Sequence, residues 1–122
     1  MTADLVGLTG HASTTVGETD LATALGSGDV RVFGTPAALA LCEAATVAAI
    51  AEALDPSTTS VGAHVELDHL APSKLGAVLG ADAEVTEVAG SRVTFRVEAR
   101  EGDQVVARAL VVRYIVDRAR FA

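Results

Sequence analysis

Residues 35–54, TPAALALCEAATVAAIAEAL, decide the fold. Thr35 is suited to cap the free N–H groups of a helix start, and Pro36 suits the first helical position. Between Pro36 and Leu54 the only polar side chains are Glu43, Thr46 and Glu52. The pattern therefore predicts one helix over 36–54, apolar around most of its circumference and largely buried. At about 100° per residue, Leu39, Val47, Ile50 and Leu54 fall within roughly 40° of Glu43, while Glu52 falls on the opposite, alanine-rich side. Glu43 thus shares a stripe with the bulkiest apolar side chains. A carboxylate there needs a partner, a proton or a function, because an unpartnered buried charge costs several kcal/mol.

Beyond the helix, Asp55-Pro56-Ser57 turns the chain, and the apolar period changes from 3.6 to 2. In 59–70, Val61, Ala63, Val65 and Leu67 alternate with His64, Glu66 and Asp68. In 76–88, Ala77, Leu79, Ala81, Ala83 and Val85 alternate with Asp82, Glu84 and Thr86. After the turn Ala89-Gly90-Ser91, Val93, Phe95, Val97 and Ala99 alternate with Arg92, Arg96, Glu98 and Arg100. A last strand, 105–116, follows the turn Glu101-Gly102-Asp103. It is apolar on both faces apart from Arg108 and Arg113, which predicts a central place in the sheet. Ahead of the helix, 11–18 reads as a short strand, and Asp20 as the cap of a brief helical turn ended by Gly26 and Gly28. Short turns between strands imply antiparallel neighbours. The fold class is α+β, a long central helix packed on an antiparallel β-sheet. Val106, Leu110, Val112 and Tyr114, on the other face of the last strand, call for an apolar cover, and a second subunit is the simplest.

The chain has 122 residues and reads as one domain, 1–122, large enough for a core. Half of its residues are hydrophobic but only four are aromatic, so Ala, Val and Leu build that core. One cysteine, Cys42, excludes an internal disulfide and fits a reducing, cytoplasmic setting. No segment reads as a secretion signal or a membrane span. The net charge of −7 argues against a nucleic-acid partner. Residues 1–73 hold nine acids and one base, and residues 74–122 hold eight bases and seven acids. An anionic ligand is better accommodated along the second half.

Several residues could carry chemistry. Counting by twos from Val61 places His69 on the apolar face, at the strand's end before Pro72. There it is either a general base or a core-edge imidazole bonded to a backbone carbonyl. His64 counts onto the acidic, solvated face, and His11 carries no signal. Thr35 is either a plain cap or, with the helix N-terminus, a group that orients a carbonyl or water. Glu43 is either functional or a structural carboxylate tied to Arg113, which lies on the strand face of Ala107, Ala109 and Val111. Cys42 reads as a small buried hydrophobe, and Thr46 as a side chain bonded back to a helix carbonyl. No metal-ligand spacing and no phosphate-binding glycine loop occurs.

Three segments carry a resemblance: VFGTPAALALCEAA (32–45), SVGAHVELDHLAPSKLGAVL (60–79) and VTEVAGSRVTFRVEA (85–99). Together they resemble the hotdog-fold acyl-CoA thioesterases, nearest the fluoroacetyl-CoA thioesterase-like branch, over about 16–121. The eight-residue step from Thr35 to Glu43 and the thirty-four-residue step from Thr35 to His69 match that branch. The resemblance implies a catalytic set of Thr35, Glu43 and His69, with Gly62 and Arg113 in the thioester-binding region. It implies an acyl-CoA substrate, no metal or bound cofactor, and a homodimer or higher homo-oligomer with its sites at the subunit interface. In such a site His69 is the general base, Thr35 the nucleophile or an orienter, and Glu43 orients the base or activates water. Two departures stand out. The family's last strand reads like G-x-G-x-H-x-R, whereas 107–113 is ARALVVR. The aromatic residues that close the fluoroacetyl-specific pocket are replaced by Gly26-Ser27-Gly28-Asp29. The implied activity is therefore hydrolysis of a short or medium acyl-CoA. A hotdog hydratase or dehydratase on acyl thioesters, or a non-catalytic acyl-CoA-binding protein, are the alternatives.

Overall fold

In a computed structural model, which describes residues 3–122, the chain runs through β1 (Thr9–Thr15), α1 (Ala22–Leu25) and α2 (Thr35–Ile50). Four further strands follow: β2 (Thr58–His69), β3 (Val78–Ala89), β4 (Arg92–Glu101) and β5 (Gln104–Asp117). Short 3-10 turns lie at Ala3–Leu5, Glu18–Asp20 and Arg118–Phe121. The strands form one antiparallel sheet in the order β1-β3-β4-β5-β2, with α2 packed on one face. As the two-faced apolar pattern predicts, β5 is interior, flanked by β4 and β2. Among the described residues no helix is long and apolar enough to cross a membrane.

The core is the alternation made solid. Leu79, Ala81, Ala83 and Val85 of β3, and Val93, Phe95, Val97 and Ala99 of β4, are all buried toward the helix. Ala107, Ala109 and Val111 of β5 continue the same face. From α2 the chain contributes Ala38, Leu41, Cys42, Ala45, Thr46, Ala49 and Ile50.

That helix face differs from the sequence expectation. The small-residue stripe lies against the sheet, while Leu39 is half-buried and Val47 is 45% exposed. Gly10 on β1 gives the reason. A Cβ there would stand 2.6 Å from the Ala45 carbonyl oxygen and closer still to the Ala49 nitrogen. Glycine opposite alanines lets helix and strand backbones approach closely, and of the bulkier stripe Val47 is turned outward while Ile50 stays in the core. In this chain α2 is therefore half-buried rather than largely buried.

The element ends also differ. The helix begins at Thr35 itself, with Gly34 at the capping position and no side-chain cap bond. It ends at Ile50, and 51–54 continue as turns closed by the Ala53 N–H on the Ile50 carbonyl. Asp20 likewise does not cap α1, whose capping position is Leu21; its carboxylate accepts from the Gly17 N–H and closes a 3-10 turn. β1 starts two residues before His11 and stops before Val16, because its pairing with β3 runs from Thr9↔Glu84 to Thr15↔Val78.

One connection is not a tight hairpin. Consecutive strands β2 and β3 are separated in the sheet by β5 and β4. Residues 70–77 cross between them and are fixed by backbone bonds that include Leu70 N–H to Val106 O, Phe33 N–H to Ser73 O, Gly76 N–H to Val16 O and Val16 N–H to Ala77 O. This crossing runs beside the start of α2. It brings the end of β2 to the helix N-terminus.

Candidate active site

Thr35 and His69, thirty-four residues apart in sequence, meet there: Thr35 Oγ1 lies 2.8 Å from His69 Nδ1. The hydroxyl that the sequence assigns to capping is engaged with the imidazole instead. The Phe33 ring stands edge-on to the imidazole, with centroids 6.4 Å apart and planes at 89°. His69 Nε2 is buried without a hydrogen-bond partner among the described residues. Desolvation holds the His69 pKa below its ordinary value, so the ring stays neutral where an exposed histidine would begin to protonate. Both residues line a cavity of about 370 Å³, walled by Ala22, Val30, Val32, Phe33, Leu70 and Pro72.

Glu43, Gly62 and Arg113 form a second group. Arg113 is buried on β5; its Nε donates to Ser60 Oγ at 2.9 Å and its Nη2 to the Ser60 carbonyl at 3.1 Å. Its Nη1 faces Glu43 Oε2 at 3.4 Å, a long contact. Burial works against the Arg113 charge, and the Glu43 carboxylate works for it. The carboxylate lies so close to Gly62 that any Cβ there would collide with Glu43 Oε2. Gly62 is the residue that leaves Glu43 its room.

A β-bulge explains how both groups face the helix. The pairing of β2 with β5 slips between Gly62 and His64. Before the slip, Ser60 and Gly62 oppose Ile115 and Arg113; after it, Val65, Leu67 and His69 oppose Val111, Ala109 and Ala107. Counting by twos from Val61 therefore reaches His69 by the wrong route. Val61 is 38% exposed and lies on the other side, with Ala63 as the extra residue. His69 is on the inner face because the bulge switches parity.

The two groups stay apart within the chain. The eight helical residues from Thr35 to Glu43 correspond to about 12 Å of rise, and no direct bond joins Glu43 to Thr35 or His69 among the described residues. The other candidates resolve as solvated or inert. His64 Nε2 pairs with Glu66 at 3.0 Å and His11 with Asp82 at 2.8 Å, both on the exposed sheet face. Cys42 is fully buried, and desolvation pushes its thiol up to about 11. Thr46 Oγ1 donates to the Glu43 carbonyl at 2.6 Å. Among the described residues no cluster of His, Cys, Asp or Glu could hold a metal. Sequence reasoning missed Ser60 and Phe33. Ser60 sits two residues before Gly62 on the same strand face, a signal available once Gly62 is singled out.

Comparison with known proteins gives the family and the fold. Residues 16–119 match the family model FlK, fluoroacetyl-CoA-specific thioesterase. The crystal structure of a point mutant of the fluoroacetyl-CoA-specific thioesterase FlK, in complex with fluoroacetate and CoA, is 25% identical. The match covers 96% of this chain and 98% of that one, with a TM-score of 0.87. A hot-dog-like protein from Thermanaerovibrio acidaminovorans is also 25% identical, covering 95% of this chain and 86% of its own, with a TM-score of 0.84. A thioesterase superfamily member from Thermus thermophilus, 24% identical over 95% of this chain and 86% of its own, shares the fold at a TM-score of 0.87. No curated protein sequence matches. With its helix on a five-stranded antiparallel sheet, this hotdog-fold chain belongs to the fluoroacetyl-CoA-specific thioesterase family, FlK, a family of thioester hydrolases.

Proposed function

We propose that the chain hydrolyses the thioester of a short acyl-CoA, giving a carboxylate and free CoA, at the Thr35–His69 pair. The observation that carries this reading is the 2.8 Å Thr35 Oγ1–His69 Nδ1 contact beside a cavity, with Nε2 unpartnered. A neutral imidazole with one nitrogen fixed and one free suits a general base. If Nδ1–H donates to Thr35, the Nε2 lone pair takes a proton from an attacking water. If the Thr35 hydroxyl donates to Nδ1, Thr35 is the activated nucleophile and Nε2–H can bond the thioester oxygen. In the first route the C–S bond breaks as the water oxygen bonds the carbonyl carbon, and the proton taken by Nε2 passes to the departing CoA sulfur. In the second the acyl group passes to Thr35 as CoA leaves with the hydroxyl proton, and a water then hydrolyses that ester, releasing the carboxylate and restoring the Thr35 hydroxyl.

Glu43, held by Gly62 and Arg113, would orient the base or activate water from across the substrate, since it cannot reach Thr35 along its own helix. We infer a homodimer whose interface completes the site. The half-exposed stripe of α2, with Val47 outermost, and the twelve-residue edge strand β2 support it. The basic second half of the chain would meet the CoA phosphates, and no metal or bound cofactor is required. Residues 1–122 would act as one domain, and the single inert cysteine fits a cytoplasmic setting. The test is release of free thiol, followed with a thiol-reactive dye, across saturated acyl-CoAs of increasing length. Turnover on the shorter members supports the reading. Hydration of enoyl-CoA without thiol release would favour the hydratase alternative, and binding without turnover the non-catalytic one.

A further inference from the structure

The cavity beside His69 carries one formally charged side chain, Asp29. Its other walls are apolar or small: Ala22, Gly28, Val30, Val32, Leu70 and Pro72. The nearest cation in sequence does not offset the carboxylate. Arg31 is turned to Glu18, its Nη2 3.1 Å from both carboxylate oxygens. Among the described residues Asp29 takes part in no ion pair. The cavity is lined wholly from the acidic first half of the chain, where nine acids face one base.

We propose that Asp29 is an electrostatic filter on the acyl group: the site accepts uncharged acyl chains and rejects those ending in a carboxylate. The proposal rests on the thioesterase reading. CoA brings several phosphate charges, and a cavity whose one charge is negative is a poor place for them. The cavity therefore takes the acyl end of the thioester, on the far side of the carbonyl from the sulfur. An acyl chain ending in a methyl meets apolar walls there. The same chain ending in a carboxylate meets a second carboxylate with no cation between them. Asp29 is exposed to solvent, and two unit charges about 8 Å apart at an effective dielectric of ~60 repel by an amount equivalent to about threefold in kcat/KM.

The test compares pentanoyl-CoA with glutaryl-CoA, which differ by a carboxylate in place of the terminal methyl. The measured quantity is the ratio of their kcat/KM values, corrected for spontaneous hydrolysis, in wild type, Asp29→Asn, Asp29→Lys and Asp82→Asn. Asp82 lies on the exposed sheet face beside His11, so its variant removes the same charge away from the cavity. Asp29→Asn is expected to shift the ratio about threefold toward glutaryl-CoA and Asp29→Lys further, with Asp82→Asn leaving it in place. An unchanged ratio in both Asp29 variants overturns the filter while leaving the thioesterase reading standing. So does an equal gain on both substrates, which would mean that the carboxylate faces the CoA side. No turnover of pentanoyl-CoA by the wild type overturns the filter, and no turnover of acetyl- or propionyl-CoA as well overturns the thioesterase reading with it.

Discussion

Glu43 Oε2 occupies the space where a side chain at Gly62 would begin. The relationship joins two elements far apart in sequence, the middle of α2 and the bulged part of β2, and makes the carboxylate's position depend on an absent Cβ.

Gly62→Ala should therefore push Glu43 off Arg113. We expect a rate at least tenfold lower with a melting loss equivalent to under about 1 kcal/mol, since the atom in the way is the end of a flexible, one-third-exposed side chain that can swing aside. Steady-state kinetics and thermal melts on one preparation check it. Full activity would show that Glu43 need not sit where it does.

Glu43→Gln separates function from scaffold, because it keeps shape and removes charge. A catalytic Glu43 predicts lost turnover with the melting temperature kept. A Glu43 that serves only to pair with Arg113 predicts a lower melting temperature, with the rate falling only as folded protein is lost. The pair is long and Glu43 is one-third exposed, and Arg113 keeps both Ser60 bonds. The destabilisation should therefore be small, under about 1 kcal/mol.

Thr35→Ala tests the hydroxyl cleanly, because Thr35 is inside the helix rather than capping it. Stability should change by no more than about 1 kcal/mol, the worth of one hydrogen bond, while the rate falls sharply. Thr35→Ser, which keeps the Oγ–Nδ1 bond, should retain most of the activity. Circular dichroism melts beside thiol release decide it.

The pH dependence follows from the desolvated imidazole. Because the folded pKa of His69 lies below its ordinary 6.5, the base form persists to lower pH than an exposed histidine would allow. The acid limb of kcat/KM should have its midpoint below 6.5. Linkage has the same sign: between the folded pKa and 6.5 the unfolded chain binds more protons, so stability is full above 6.5 and is lost as pH falls through that window. A midpoint above 6.5 would mean that another group controls the rate.

Much of the fold is legible in the sequence, because it rests on one period switch near Pro56 and on clean alternation in β3 and β4. What escapes is set by events that periodicity does not encode. The close approach at Gly10 turns the alanine stripe of α2 inward, and the bulge after Gly62 reverses the parity of β2. The crossing at 70–77 gives up hairpin pairing for a path past Val106 and Phe33. The candidate site divides in the same way. The Glu43–Arg113 pairing follows from two charged groups on buried faces, each needing a partner. The Thr35–His69 contact is a long-range meeting created by that crossing, and family resemblance brought the two together before the geometry did.

The most direct measurement of the central claim is thiol release by His69→Ala beside His64→Ala on the same short acyl-CoA. The proton-transfer role predicts a loss of about 10²–10⁴-fold for His69→Ala with fold intact. His64, on the exposed sheet face against Glu66, should matter hardly at all. Equal activity in the two variants would contradict the account and take the proton transfer away from His69.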